Sequence, residues 1–334
     1  MRDKILNVLC LYSDAGACAQ FRIREPYSSL KVEGINFIVS NKLEDAWLSR
    51  DDKDMVDAVV MQRPTMDIQL RFIKEFKAEG GIVVVETDDD LLNIPYNNPV
   101  FPFLKEPAKS IYVECLRMTD YIHVSTPQLM IGDKSTVFLN AINLKKYTKA
   151  LPKKNTIMWA GSPTHADSLD LIKPVIKELL DNNIHVTLMS NKVWLEKIFT
   201  PHPYLEILDY VMLDLYHLMP SMAYISLTPL PDNKFNNCKS ELKILESAAW
   251  GVPCVSSYVS PFIRFHEKSG GANLLVKKER PSLWLKAIAQ LLEDDELYSE
   301  LSRKSLEAVK GYYNLETVNK ERGNWWSKIF KTYI

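Results

Sequence analysis

Short apolar runs recur along the chain, each separated from the next by a stretch with helical spacing. In the first half they cover residues 5–12, 35–39, 58–61, 82–86, 121–124 and 137–139. In the second half they cover 156–160, 185–189, 205–208, 223–228, 253–256 and 273–276. Runs rich in Val, Ile and Leu without polar alternation predict strands buried on both faces, the mark of parallel sheets covered by helices. Apolar positions three and four apart predict those helices over 66–78, 108–118, 168–181, 240–250, 282–292, 297–312 and 315–333. Pro174 lies inside the third and is expected to kink it or shift its start. Residues 140–155 break the rhythm with Lys145, Lys146, Lys149, Pro152, Lys153 and Lys154, and read as an interdomain linker. Strands alternating with helices on either side of that break predict two successive α/β halves.

Composition narrows the class. With 334 residues the chain is long enough for two domains of ordinary size, and 46% hydrophobic with 25% charged residues is normal for a globular protein. The 41 basic and 42 acidic residues give a net charge of −1, so no global field favours nucleic acid. The five cysteines form no CxxC pair, which argues against a thiolate zinc site or a disulfide framework and for a reducing cytoplasm. No run reaches membrane-spanning length, and residues 1–12 have too short an apolar core for a signal peptide.

Three segments carry candidate chemistry. Within helix 240–250, extended back to Lys239, about 100° per residue places Lys239, Lys243 and Glu246 on one face. Leu242, Leu245 and Ala249 can face a core. Gly251 stands where a helix end favours positive φ, and Pro253 cannot continue the helix. Two cations and a carboxylate near a helix N-terminus suit a nucleoside diphosphate. An ordinary exposed helix with a Lys–Glu pair gives the same pattern. Asp88, Asp89 and Asp90 follow the run 82–86, at the carboxyl end of an expected parallel strand. Three adjacent carboxylates repel, which suggests a general base, a sugar-hydroxyl acceptor or a metal ligand, beside the alternative of a solvated loop that caps a helix. The turn Gly161, Ser162, Pro163, Thr164, His165 leads from a strand into a helix, where backbone N–H groups can meet a phosphate. His123, His185 and His217 sit in or beside apolar runs and read as structural. The small-residue loop around Gly16 follows the first strand, and Arg22 or Arg24 can meet an anion or simply be solvated.

With these residues in view, the chain resembles GT-B fold glycosyltransferases of the glycosyl transferases group 1 type, including bacterial and phage enzymes. The run from Pro229 to Ser240, leading into Lys243, Glu246, Gly251 and Pro253, is similar to the donor-binding signature of that group. Trp159–Ala160–Gly161 is similar to its first C-terminal-domain strand and phosphate-side loop. In the N-terminal half, Phe21-Arg22-Ile23-Arg24-Glu25-Pro26, Gln62-Arg63-Pro64, Glu86-Thr87-Asp88-Asp89-Asp90-Leu91 and Val124-Ser125-Thr126 look like segments of the same group. Many members carry a second Glu eight residues before the ribose Glu; here Cys238 stands there.

The resemblance implies two Rossmann-like parallel-sheet domains facing a cleft. Residues 1–145 would form the acceptor side, 155–312 the nucleotide-sugar side, and 313–334 a helix packing back on the first domain. It implies sugar transfer from a nucleotide donor, a UDP-sugar being expected, to an acceptor hydroxyl, with retention in view. Glu246 would hold the ribose, and Lys239, Ser240 and Lys243 the diphosphate, joined by Gly161, Ser162 and His165. Asp88 or Asp90 would act on the acceptor, with Gly16, Arg22 and Arg24 on that side. No metal is required, because lysines supply the positive charge. The acceptor is a glycan, a lipid-linked glycan or a modified base of phage DNA, and the protein a monomer or dimer. One rival is a GT-A type transferase whose Asp88 and Asp90 hold a divalent metal. The other is a non-catalytic nucleotide-sugar-binding protein.

Overall fold

The computed structural model describes residues 5–46, 55–278 and 280–333. Residues 1–4 and 334 of the expected domain bounds, and with them the start of the stretch read against a signal peptide, lie outside the described residues. Each expected apolar run contains or overlaps a strand. In the first half these are β1 Leu6–Leu11, β2 Ile35–Ser40, β3 Ala58–Gln62, β4 Ile82–Thr87, β5 Tyr121–Val124 and β6 Ser135–Val137. In the second half they are β7 Ile157–Ala160, β8 Val186–Met189, β9 Leu205–Leu208, β10 Ile225–Thr228, β11 Cys254–Ser257 and β12 Asn273–Val276. They form two six-stranded sheets, ordered β2-β1-β3-β4-β5-β6 and β12-β11-β10-β7-β8-β9, with every pairing parallel.

The chain divides into two units. The first takes the chain up to Ala141, Cys238–Ser240 and the stretch from Leu315; the second takes Ile142–Asn237 and Glu241–Asn314. In the first unit, Val8, Cys10, Val60 and Val84 face Ile23, Tyr27 and the C-terminal helix residues Trp326 and Ile329. Their strand neighbours Leu9, Val59, Met61 and Val83 face Phe72, Ile73, Phe76 and Cys115 of the helices Asp67–Ala78 and Ala108–Met118. Successive side chains thus feed opposite layers, and continuous apolar runs follow. In the second unit Ile157, Leu188, Ile225 and Val255 pack with Ile172, Ile176, Trp284 and Ile288 in the same manner.

Several local expectations are corrected. β6 meets its apolar run only at Val137, because Phe138 leaves the strand to pack with Ala141, Leu315 and Val318. The helix expected over 240–250 is Leu242–Ala248. Its start is delayed because Asn140 donates to the Ser240 hydroxyl at 2.7 Å, Thr126 donates to the Cys238 carbonyl at 2.8 Å, and Lys239 pairs with Asp89. The helix Ala166–Asp181 runs through Pro174. The stretch 140–155, read as an interdomain linker, contains the passage from one unit to the next between Ala141 and Ile142, and from Ile142 onward it is packed on the second unit. Ile142 N–H donates to Tyr313 O at 2.7 Å, the Tyr147 and Trp250 rings lie 5.1 Å apart, and Leu151 N–H donates to the Ser221 hydroxyl at 2.9 Å. Among the described residues no helix is long and apolar enough to cross a membrane.

In the second sheet the connections reverse direction between β7 and β10, and in the first between β1 and β3. Open α/β sheets bind ligands at such reversals, beyond the carboxyl ends of the strands.

Candidate functional site

The candidate donor site lies in the second unit, at the carboxyl end of β7. Helix Leu242–Ala248 buries Ile244, Leu245 and Ala248, and Gly251 closes it at φ 66°. Its packing is wider than the expected apolar stripe, for Glu246 is also buried, at 5% exposure. Lys243 Nζ donates to the Ala160 carbonyl, the last of β7, at 3.1 Å and to the Tyr216 hydroxyl at 3.4 Å. Burial pushes the Glu246 carboxyl up to about 7, against the pull of Lys243 and a hydrogen bond with Tyr216. Burial, then Glu246, holds the Tyr216 phenol well above its ordinary range. An ammonium, a phenol and a carboxyl poised near neutrality thus share one corner.

Gly161 adjoins that corner, its N–H donating to Met189 O at 3.0 Å. A Cβ there would stand 2.7 Å from Trp159 Cζ2, so the buried indole excludes any side chain at 161. The Ser162 and Thr164 hydroxyls lie 2.5 Å apart, and half-buried His165 precedes helix Ala166–Asp181, whose first turn points its N–H groups back toward this loop.

Lys239 and Ser240 belong elsewhere. They precede the helix, so Lys239 does not share a face with Lys243 and Glu246; both are grouped with the first unit. There Lys239 Nζ lies 2.9 Å from Asp89 Oδ1. Burial opposes its charge, but Asp89 outweighs that and raises its pKa.

The acidic triplet follows β4 at its carboxyl end, and each member has its own environment. Asp88 is 8% exposed, with Oδ1 3.7 Å from Arg63 Nε and no hydrogen-bond donor on that oxygen. Asp89 carries Lys239. Asp90 accepts from Asn93 Nδ2 at 2.8 Å, with Cys238 Sγ at 3.9 Å. Repulsion among the three is therefore relieved by local partners. Cys18, Asp88 and Asp89 offer three ligand atoms within 4.8 Å of one another, and are the metal-competent group among the described residues. The metal-binding rival named Asp88 with Asp90 instead. Arg63 and Lys239 already face the two carboxylates of this group.

Arg22 is corrected as an anion receptor. At 1% exposure it is bonded to Glu86 Oε1 at 2.6 Å, to Phe138 O at 2.5 Å and to Asn140 Oδ1 at 3.0 Å, so its charge is satisfied beneath the sheet. Arg24 lies over the Tyr12 ring at 5.9 Å. Gly16 is exposed and its N–H donates to Asp14 Oδ1 at 2.7 Å. His123 is buried against Trp325 and Phe138, burial and then Arg322 lowering its pKa, in keeping with a structural role.

Comparison with known proteins bears on the second unit. Residues 154–294 match the family model for glycosyl transferases group 1. Those residues form a group 1 glycosyltransferase domain. The matched stretch includes Gly161, Tyr216, Lys243 and Glu246. Anabaena HepE in complex with UDP-glucose shares the fold at TM-score 0.69 and 11% identity, over 97% of this chain and 100% of that one. Sucrose-phosphate synthase from Thermosynechococcus elongatus follows at TM-score 0.65 and 12% identity, over 91% and 83%. A candidate UDP-N-acetylglucosamine 2-epimerase from Listeria monocytogenes gives TM-score 0.60 and 9% identity, over 98% and 97%. At such identities the likeness is one of fold, and that fold is GT-B. No curated protein matches the chain by sequence. The glycosyltransferase domain thus contains two residues missed by sequence reading or placed differently from it. Tyr216 had no local signal, being 27 residues from Lys243, and Lys239 lies within the domain's matched stretch yet bonds to the first unit.

Proposed function

We propose that the protein transfers a sugar from a UDP-sugar to an acceptor hydroxyl. The observation that carries this reading is the Lys243–Tyr216–Glu246 corner at the end of β7, inside the matched glycosyltransferase domain. Ionised Glu246 is an acceptor for two ribose hydroxyls, and Lys243 lies where a diphosphate would follow. As the acceptor oxygen bonds to the anomeric carbon, the bond from that carbon to the diphosphate breaks and its electron pair leaves on phosphate oxygen. Lys243 and the N–H groups after Gly161 stabilise that charge. The acceptor proton passes to a carboxylate, for which Asp88 is best suited. Asp89 is taken by Lys239 and Asp90 by Asn93, whereas Asp88 Oδ1 accepts no hydrogen bond and is buried beside Arg63, so it would have to be uncovered to meet an acceptor. Solved structures of the same fold bind UDP and UDP-glucose, which supports uracil as the base.

Retention, the outcome that the group 1 resemblance implies, requires the acceptor to attack from the face that the diphosphate leaves. For the acceptor we favour a glycan or lipid-linked glycan over DNA, because Lys153 and Lys154 of the basic stretch are engaged by Tyr298 and Glu206. Calorimetry with UDP tests the donor site. Lys243→Ala and Glu246→Ala are each expected to weaken binding roughly ten- to a hundredfold, as loss of a charged hydrogen bond does. Wild-type affinity in both variants would sink the assignment. Turnover of a UDP-sugar that disappears with EDTA and returns with Mn²⁺ would instead favour a metal-held diphosphate.

A further inference from the structure

Arg63 has a backbone that its residue type does not favour. Among the described residues two non-glycine positions have positive φ, Asn183 at 59° and Arg63 at 45°. Asparagine tolerates this region; arginine does so at a cost, and here the following Pro64 restricts it further. Such strain persists where the surroundings over-determine it, and it gathers at functional sites. The surroundings here are specific. Arg63 N–H donates to Glu86 O at 2.9 Å, so the backbone stays in register with β4 while the side chain swings over the carboxyl edge of the sheet. Its Nη2 donates to the Ser13 hydroxyl at 3.1 Å and to the Asp14 carboxylate. Asp14 in turn accepts from Gly16 N–H, and Ser13 N–H donates to Gln62 Oε1 at 3.2 Å. Its Nε stands 3.7 Å from Asp88 Oδ1, near enough to lend charge and too far to donate.

We propose that Arg63 is a positioning residue of the transfer reaction, fixing the loop 13–16 and the Asp88 carboxylate in one arrangement. This inference rests on the reading of Asp88 as the base. Three segments that carry the family likeness meet in it. Gln62-Arg63-Pro64 supplies the clamp, Glu86 and Asp88 the strand end it clamps, and Arg22 the ion pair with Glu86 beneath. Burial works against the guanidinium charge, but Asp88 and Asp14 outweigh it, so the clamp stays cationic.

The test compares Arg63→Gly, Arg63→Lys and Asp88→Asn in the full chain. Glycine removes the side chain and relieves the strained φ. Arg63→Gly is expected to melt somewhat below wild type, since relief of the strained φ does not offset a buried Asp88 left without its cation, while amide exchange at Gly16 rises roughly tenfold as the loop is released. UDP affinity is expected to stay within about twofold, and turnover of a UDP-sugar to fall roughly ten- to a hundredfold in kcat at little-changed donor KM. Arg63→Lys, which keeps the charge, is expected to recover part of kcat. An Arg63→Gly protein that melts well below wild type with unchanged exchange at Gly16 would make Arg63 a mere buttress and overturn the proposal. So would full turnover in Arg63→Gly when Asp88→Asn is inactive. Full turnover in Asp88→Asn fails the base reading instead, and the exchange arm still decides whether Arg63 holds the loop.

Discussion

Glu246 couples the donor corner to pH. Its carboxyl titrates near 7 when folded, against an ordinary value of 4.5. The folded state therefore holds the proton more tightly than the unfolded chain. The stability this confers is complete below the ordinary value and is lost as pH rises through about 7, by on the order of 3 kcal/mol at most. Glu246→Gln is neutral in both states and lacks this dependence. The wild-type melting temperature minus that of Glu246→Gln is expected to fall from pH 5 to pH 8, with other titrating groups cancelling in the difference. A flat difference would show that the carboxylate is not disfavoured by folding. UDP affinity is expected to rise over the same range, since ribose hydroxyls need the ionised form. The resemblance implies a donor role for Glu246 from its place after the Pro229–Ser240 run, but its raised pKa was not legible, because the packing that desolvates it comes from distant parts of the chain. Gly161 reads in sequence as part of a turn toward a phosphate, and the Trp159 ring adds a packing reason for the missing side chain that no local pattern carried.

At the scale of elements, what was legible followed from local rules. Gly251 was expected at positive φ and has φ 66°. A Cβ there would meet Ser302 Oγ at 2.7 Å and Leu306 Cδ1 at 3.1 Å, in helix Asp295–Gly311. Gly251→Ala is therefore expected to cost about 1–3 kcal/mol in urea unfolding, part from the left-handed backbone and part from the clash. Adding Ser302→Ala should relieve the second part only. If the double variant regained full stability, φ would not be the constraint. The start of the preceding helix was not legible. Its periodicity extends back to Lys239, but Asp89, Thr126 and Asn140 bind Cys238–Ser240 first, and those partners lie 100 residues or more away in sequence. β6 is offset from its apolar run for a related reason: an apolar run marks burial, and Phe138, just past the strand, is buried by helix Leu315–Tyr333 together with His123 of β5.

For the whole molecule, alternation of strand and helix was enough to read two parallel sheets, yet the fold alone does not choose a reaction, since a sucrose-phosphate synthase and an epimerase candidate share it. Nor does local pattern say which unit a late segment completes. Helix Leu315–Tyr333 completes the first: Trp326 is fully buried with Leu6, Val8 and Tyr27, and Asn319 Nδ2 donates to Pro26 O at 2.9 Å. Trp326→Ala should therefore weaken the first unit by roughly 3–5 kcal/mol, the usual cost of an emptied indole site. The donor corner belongs to the second unit and shares none of these contacts. In scanning calorimetry the variant is expected to show an early transition separated from a later one, and UDP should raise the later transition, because a ligand stabilises what binds it. A single transition that Trp326→Ala shifts as a whole would show that the units unfold together, and that the last helix supports the donor corner as much as the sheet it covers.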